Sequence, residues 1–529
     1  MSTSPRKLGS DVFWRNGPAA ARLAVEPLAM SGAPGALLEE IARQDDPAAL
    51  ESSAFHETFG RYTVLTCCPL EVLTLAQGAL RTRHGHVLAG AGDDQIWESL
   101  DKAFGAVALR GPAQPQPRYA AGWIGYVGYE VGRHVERLPG KALRDTHLPD
   151  LRLAFYDALL VHDALQRRWW LTRLEFDSPP AGAGRAESAL RAIIAKFQAG
   201  QFDQPVESAP SEVQRADPGA QLLAGAESNF TPGAYQQSIA RCVEYIAAGD
   251  IFQANLSQRF AVRAAPPPLT IYQSLRRRNP AWYAAYLSFE SPAGPCAVVS
   301  SSPELFLRTD GRAVTTRPIK GTRRRTGDPA ADRTAAADLL ASPKDNAELA
   351  MIIDLLRNDL GRVCRFGSIR VTEPRRLETH PTVFHLVGTV QGLLREGVGP
   401  AGLLRATFPG GSVTGAPKIR AMEIIDELEG LARGVYTGCV GYVGADGACE
   451  WNIAIRTIVC DGGTAFVQAG GGIVADSVPL AEYEETLDKA RALLEAIAMA
   501  RGNDRSATEA QRAQTRGEKT SSSGNQPTR

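Results

Sequence analysis

No excess charge, no long apolar run and no chelating cysteine spacing mark this chain. Its 58 basic and 58 acidic residues cancel, so bulk charge draws it neither to nucleic acid nor to an anionic membrane surface. No apolar run approaches the ~18 residues that suggest a bilayer crossing, and the opening MSTSPRKLGS has no apolar signal core. These absences predict a cytoplasmic protein with no nucleic-acid or membrane partner. The eight cysteines are scattered without a CxxC, and Cys67 and Cys68 are adjacent and cannot chelate as a zinc knuckle does. A reducing compartment without a structural metal fits that usage. Lysine is scarce too: only nine of the 58 basic residues are lysine, at positions 7, 102, 141, 196, 320, 344, 418, 489 and 519. Where a bare positive charge suffices the chain uses arginine, so a retained lysine is a candidate for chemistry that needs a neutral amine. Chance retention is the competing explanation for any single one.

What is present is globular in character, with 44% hydrophobic and 22% charged residues over 529 positions, enough for about two to four domains. Residues 1–35, rich in Pro, Gly and Ala, read as a loose lead-in. From 36 to 198, short apolar runs such as RYTVLTC (61–67), GWIGYVGYEVG (122–132) and RRWWLTRLEF (167–176) predict strands, with helical stretches such as IWESLDKAF between them. Residues 199–229 are polar, proline-bearing and aperiodic, and read as a linker. A second region, 230–500, opens at Phe230-Thr231-Pro232 with a helix whose apolar positions 235, 239, 242, 243 and 246 keep helical spacing. Residues 501–529 lack aliphatic core residues and predict a disordered tail.

Several familiar motifs are excluded. GGSVTGAPK (410–418) has no Gly-Lys-Ser/Thr, GWIGYVG is not GxGxxG, and no GxSxG occurs. Two acidic helices carry more. Asp345 and Glu348 lie three apart beside an apolar stripe of Met351, Ile352, Leu355 and Leu356. In AEYEETLDKARALL (481–494), Glu482, Glu485 and Lys489 share one face. Spacing alone is satisfied by a solvated acidic face with a Glu485–Lys489 pair; the functional alternative is a Mg²⁺ site, since a hard cation takes carboxylate oxygens plus waters. QAGGGIVADS (468–477) reads as a strand ending in three glycines, where backbone N–H groups can approach an anion. EWNIAIRTI (450–458) reads as a strand carrying Arg456, suited to a carboxylate or to the surface. His385 sits in an apolar strand, the setting of a satisfied core histidine. Lys320 ends the strand AVTTRPIK before a Gly-Thr turn, where burial would lower its pKa and supply free amine.

Together these segments resemble the chorismate-utilising enzymes: component I of anthranilate synthase and of aminodeoxychorismate synthase, with isochorismate and salicylate synthases as cousins. The resemblance runs in order over about 230–495: IFQANLSQRF, NPAWYAAYL, SSSPELFL, RPIKGT, the Glu348 helix, FHLVGTVQG, GGSVTGAPKIRAMEIIDELE, GVYTGCVGYVG, WNIAIRT, GGGIVADS and EYEETLDKA. It extends more loosely over 50–140. It implies an α+β fold in which two antiparallel sheets, surrounded by helices, enclose the site. It also implies Mg²⁺ held by Glu348, Glu485 and nearby Glu482. Substrate contacts are implied from Gly321, Thr322, Tyr436, Arg456, the Gly470-Gly471-Gly472 turn and Lys489, with His385 in the active site. Chorismate is a dianion, so a metal at one carboxylate and arginine at the other make chemical sense.

Which member it resembles turns on few positions. Isochorismate and salicylate synthases carry a lysine base where this chain has Gln253, which points to ammonia as nucleophile. Anthranilate synthases usually read PIAGT; here the segment is PIKGT. In the aminodeoxychorismate-forming members that lysine is thought to attack C2 of chorismate, so the resemblance implies formation of 4-amino-4-deoxychorismate, a precursor of 4-aminobenzoate and folate, with Lys320, His385 and Gln253 as catalytic residues. The anthranilate-forming, tryptophan-pathway reaction is the alternative. No amidotransferase segment is legible, so a separate glutamine amidotransferase is expected to supply ammonia. Tryptophan-inhibited members show Pro-Tyr-Met where this chain has Trp282-Tyr283-Ala284, although Ser52 resembles a tryptophan-pocket serine.

Overall fold

The computed structural model describes residues 12–90, 92–111, 117–200 and 225–521, with side chains described as far as residue 502. The architecture is two large β-sheets packed face to face, with helices on both outer surfaces, as the resemblance implied. The first sheet runs in the order Glu227–Ser228, Gln253–Val262, Thr464–Ile473, Thr457–Asp461, Gly294–Ser302, Tyr283–Ser291, Ala48–Glu51, Tyr62–Thr66, Ala158–Asp163, Arg168–Phe176, Ala19–Leu28, Val107–Arg110. The second runs Ile319–Arg324, Val383–Leu393, Ala313–Arg317, Leu305–Asp310, Cys449–Asn452, Cys439–Gly444, Gly122–Val127, Leu151–Tyr156, Glu71–Ala76, Ala79–Arg81, Val87–Ala89. Their pairings are antiparallel except Ala19–Leu28 with Val107–Arg110.

The central strands are buried on both faces, which is why they read as near-continuous apolar runs. In Tyr283–Ser291, Ala284 and Tyr286 join the core under the outer helices, while Ala285, Leu287 and Phe289 join the core between the sheets. Gly122–Val127 does the same in the second sheet, with Trp123 outward and Ile124 and Tyr126 inward. Trp123, Tyr126 and Trp451 are essentially inaccessible; truncating such a side chain to Ala costs about 3–5 kcal/mol.

The regions 36–198 and 230–500 share both sheets. Tyr283–Ser291 pairs with Ala48–Glu51, and Cys439–Gly444 pairs with Gly122–Val127, so both regions are stitched into each sheet. The expected loose lead-in holds a ten-residue strand, Ala19–Leu28, paired along its length with Arg168–Phe176. Of the expected linker, 201–224 lies outside the described residues, and Glu227–Ser228 adds a short edge strand beside Phe260 and Ala261. The last helix, Pro479–Ser521, runs well into the segment expected to be disordered; residues 522–529 lie outside the description. The eight cysteines are free thiols. No helix among the described residues is long and apolar enough to cross a membrane.

Candidate active site

One open cleft, ≈ 2090 Å³ in volume, gathers most of the residues singled out above: Lys320, Gly321, Thr322, Glu348, His385, Tyr436, Arg456, Gly470, Gly472, Glu482, Glu485 and Lys489 all line it. Gly471 and Gln253 sit immediately behind that lining.

Three local devices build it. Ser342 caps the helix Pro343–Gly361, its hydroxyl accepting from Asp345 N at 3.2 Å, and Pro343 begins the helix. That fixed start places Glu348 in the second turn, facing the cleft. At Ile319–Arg324 the pairing with Val383–Leu393 slips between Lys320 and Thr322, a bulge that re-aims the side chains on either side. Gly321 makes it possible at φ +75°, where a Cβ would also meet Leu339 at 2.7 Å and Asp345 at 2.9 Å. The expected turn after Lys320 is therefore a bulge within a strand. The third device is the crossing between sheets. Cys449–Asn452 belongs to one sheet and Thr457–Asp461 to the other, so 453–456 is a connector and not the continuous strand expected. Arg456 ends it at φ +51°, a conformation that costs a non-glycine residue energy and is held here by packing.

The three glycines are not a turn either. Gly470, Gly471 and Gly472 lie inside the strand Thr464–Ile473, paired with Ser257, Leu256 and Asn255. Their bareness lets neighbours close in. A Cβ on Gly470 would lie 2.3 Å from Leu256 O. One on Gly471 would lie 3.1 Å from Glu482 Oε2 and 3.6 Å from Glu485 Oε1. One on Gly472 would lie 2.4 Å from Gln253 Nε2 and 3.5 Å from Lys320 Nζ.

Opposite charges stand side by side in the cleft. Glu485 pairs with Lys489 at 2.5 Å; burial works to raise its pKa, but Lys489 outweighs it and holds the carboxyl below the usual range. Glu482 accepts from Ser477 Oγ at 2.7 Å with Lys344 at 3.9 Å, and burial leaves it raised. Burial also raises Glu348, against the pull of Lys320 and Lys344. Among the described residues no three carboxylates, histidines or cysteines converge on one point: Glu482 is turned to Ser477 and Glu485 to Lys489.

Against the same helix, Arg456 donates to Lys489 O at 2.5 Å; burial lowers its pKa, countered by Tyr436 and Glu485. Tyr436 is buried, which pushes its phenol upward. His385 lies 2.9 Å from Thr322 Oγ1 through Nδ1. Burial, aided by His380 and Arg456, pushes its pKa down to about 3, so the ring is neutral.

Lys320 is the centre of the arrangement. It is part-buried and donates to Ser412 O at 3.3 Å, and burial lowers its pKa against the carboxylates of Glu348 and Glu304. The like charge that assists is Lys489; Arg317 is spent on Glu378 in a buried pair. One functional neighbour went unmarked in the sequence. Glu304 is buried, accepts from Ser412 Oγ at 2.6 Å, and is raised to about 7 by desolvation. Ser412 thus touches both groups, its carbonyl at the amine and its hydroxyl at the acid. Glu304 lies in the short connection between Gly294–Ser302 and Leu305–Asp310, and its signal in the sequence was an acidic residue after Ser-Pro between two strands.

Residues 63–495 match the family model described as chorismate binding enzyme. Anthranilate synthase component 1 of Thermus thermophilus is 43% identical over 73% of this chain and 79% of its own. Aminodeoxychorismate synthase component 1 of Bacillus subtilis is 35% identical over 83% and 89%. The crystal structure of anthranilate synthase component I from Streptococcus pneumoniae superposes with a TM-score of 0.66 at 29% identity, covering 83% of this chain and 94% of that one. With the family model matched over 63–495 and relatives of 35–43% identity over most of its length, the chain belongs to the chorismate binding enzyme family.

Proposed function

We propose that the protein is an aminodeoxychorismate synthase component I, converting chorismate and ammonia to 4-amino-4-deoxychorismate and water. The observation that carries this reading is the pairing of Lys320 with Glu304 across Ser412. A part-buried amine with a lowered pKa is poised as a nucleophile, and a buried carboxyl near 7 is poised as a proton donor. In this mechanism neutral Lys320 adds to C2 of chorismate, the ring double bonds shift, and Glu304 delivers the proton with which the C4 hydroxyl leaves as water. Ammonia then adds at C4, the double bonds shift back, and the C–N bond to Lys320 breaks. The enolpyruvyl ether is untouched throughout. Arg456 and Tyr436 suit one carboxylate of the substrate, and neutral His385, held by Thr322, adds no charge that would protonate or repel the nucleophile.

The acidic end of the cleft fits Mg²⁺. Glu348 and Glu482 are raised by burial against the pull of Lys320, Lys344 and Lys489, and Glu485 is held down by Lys489, Lys344 and Lys320; as hard oxygen donors the three carboxylates suit a divalent cation. Glu348, Glu482 and Glu485 are the residues that would hold the ion, which when bound would neutralise the ring carboxylate of chorismate. Ammonia is supplied in this reading by a separate glutamine amidotransferase. The second reading, anthranilate formation, is favoured by the relatives at 37–43% identity named anthranilate synthase component 1. Lys320 weighs against it, because direct attack of ammonia at C2 needs no lysine. Reaction with chorismate without ammonium, followed by peptide mass mapping, should find an adduct on Lys320; an adduct elsewhere would overturn the nucleophile.

A further inference from the structure

Three amide oxygens, Gln253 Oε1, Asn255 Oδ1 and Gln468 Oε1, are buried without a hydrogen-bond partner. They are not scattered. Gln253 and Asn255 are two apart on one strand and so share a face. Gln468 lies on the adjacent strand, opposite Arg259, and reaches back toward Ser257. Asn255 and Gln468 line the cleft, and Gln253 and Lys320 meet over Gly472.

The orientation of Gln468 is dictated by its neighbours. Ser257 donates both its backbone N–H and its hydroxyl to Glu429 Oε1, each at 2.8 Å. Only lone pairs remain on Ser257 Oγ, so Gln468 must present its NH₂ there, at 2.9 Å. Its oxygen is thereby turned away and left bare. The glycines opposite keep the row open: Gly472 pairs with Asn255 and Gly470 with Ser257, and a side chain at either would fill the space over the amides.

A set of uncharged acceptor oxygens is a poor site for a carboxylate, which it repels, or for a cation, for which the three glutamates compete. It suits a small neutral molecule rich in N–H. We propose that Asn255 and Gln468, with Gln253 beside them, form the subsite that receives ammonia, holding it by its N–H bonds with the lone pair free toward the cleft. This rests on the ammonia-dependent reading above and assigns two residues to it that act on the nucleophile alone.

The test is steady-state kinetics on the full chain, varying ammonium at saturating chorismate and chorismate at saturating ammonium. The variants are Asn255→Leu and Gln468→Met, with chorismate affinity measured by titration calorimetry. Each variant removes one acceptor, so KM for ammonium should rise about five- to tenfold, with kcat and chorismate affinity within about twofold. Asn255→Leu also removes an unpaired buried oxygen, so its Tm should hold or rise, whereas a structural role would lower it. An unchanged ammonium KM in both variants, or chorismate affinity weakening in step, would overturn the subsite while wild-type amination stands. A wild-type protein that consumes chorismate with water and not with ammonium would take down the reading itself, and the subsite with it.

Discussion

Glu304→Gln probes the acid of the proposed pair by a route independent of turnover. In the folded protein the carboxyl is raised from 4.5 to about 7 by burial, a difference of roughly 2.5 units, or about 3 kcal/mol between its two protonation states. The sign follows from linkage. Between pH 4.5 and 7 the unfolded chain releases this proton while the folded chain keeps it, so Glu304 lowers stability progressively as pH rises through that window, and the loss is constant above it. Glutamine does not titrate and can still accept from Ser412. The variant should therefore match the wild type in urea unfolding at pH 4.5 and exceed it by about 3 kcal/mol at pH 8, a ceiling that Lys320 reduces. At the same time the proton for the leaving hydroxyl is gone, so turnover should fall by about 10²-fold or more. A stability difference independent of pH would refute the raised acid, and with it the proton-donor role.

Four further outcomes follow. Lys320→Ala should abolish the covalent adduct and most aminodeoxychorismate formation while recreating PIAGT, so some anthranilate-type product should appear by fluorescence; Lys320→Arg should be inactive because guanidinium stays protonated. The pH–rate profile should be bell-shaped, falling on the acid side as Lys320 takes up a proton and on the alkaline side as Glu304 ionises, and Glu304→Gln should remove the alkaline limb from its residual rate. Glu348→Gln or Glu485→Gln should abolish Mg²⁺-dependent turnover with little change in Tm, and chelation of the wild type should be reversible; full activity in Glu485→Gln would sink that assignment. Gly470→Ala should cost stability and activity together, since its Cβ would lie 2.3 Å from Leu256 O on the paired strand; a variant with wild-type Tm would show that the strand can yield there.

The chemistry-bearing positions were more legible in the sequence than the architecture around them. Helical spacing put Glu482, Glu485 and Lys489 on one face and the scarcity of lysine drew attention to Lys320, while their assignment to a site came with the resemblance. Both rest on properties local to a few residues. The stitching of Ala48–Glu51 to Tyr283–Ser291 is a pairing across more than 200 positions, which no local pattern encodes. The glycines at 470–472 read as a strand end open to an anion; in the sheet they lie within the strand, and the groups that close in on them, Gln253, Glu482 and Glu485, come from other elements. Arg456 read as part of one strand because Ile453 and Ile455 flank it, yet the chain changes sheets there. Glu304 hid because an acid in a Ser-Pro-Glu connection between strands is ordinary at a surface until Ser412 and Lys320 are seen beside it.

The most direct measurement is the fate of the enolpyruvyl group. Incubating the purified chain with chorismate, Mg²⁺ and ammonium should yield a non-fluorescent amine at C4 and no pyruvate, because that ether is never broken. Stoichiometric pyruvate together with fluorescent anthranilate would contradict the account, since it requires amination at C2 and loss of the side chain.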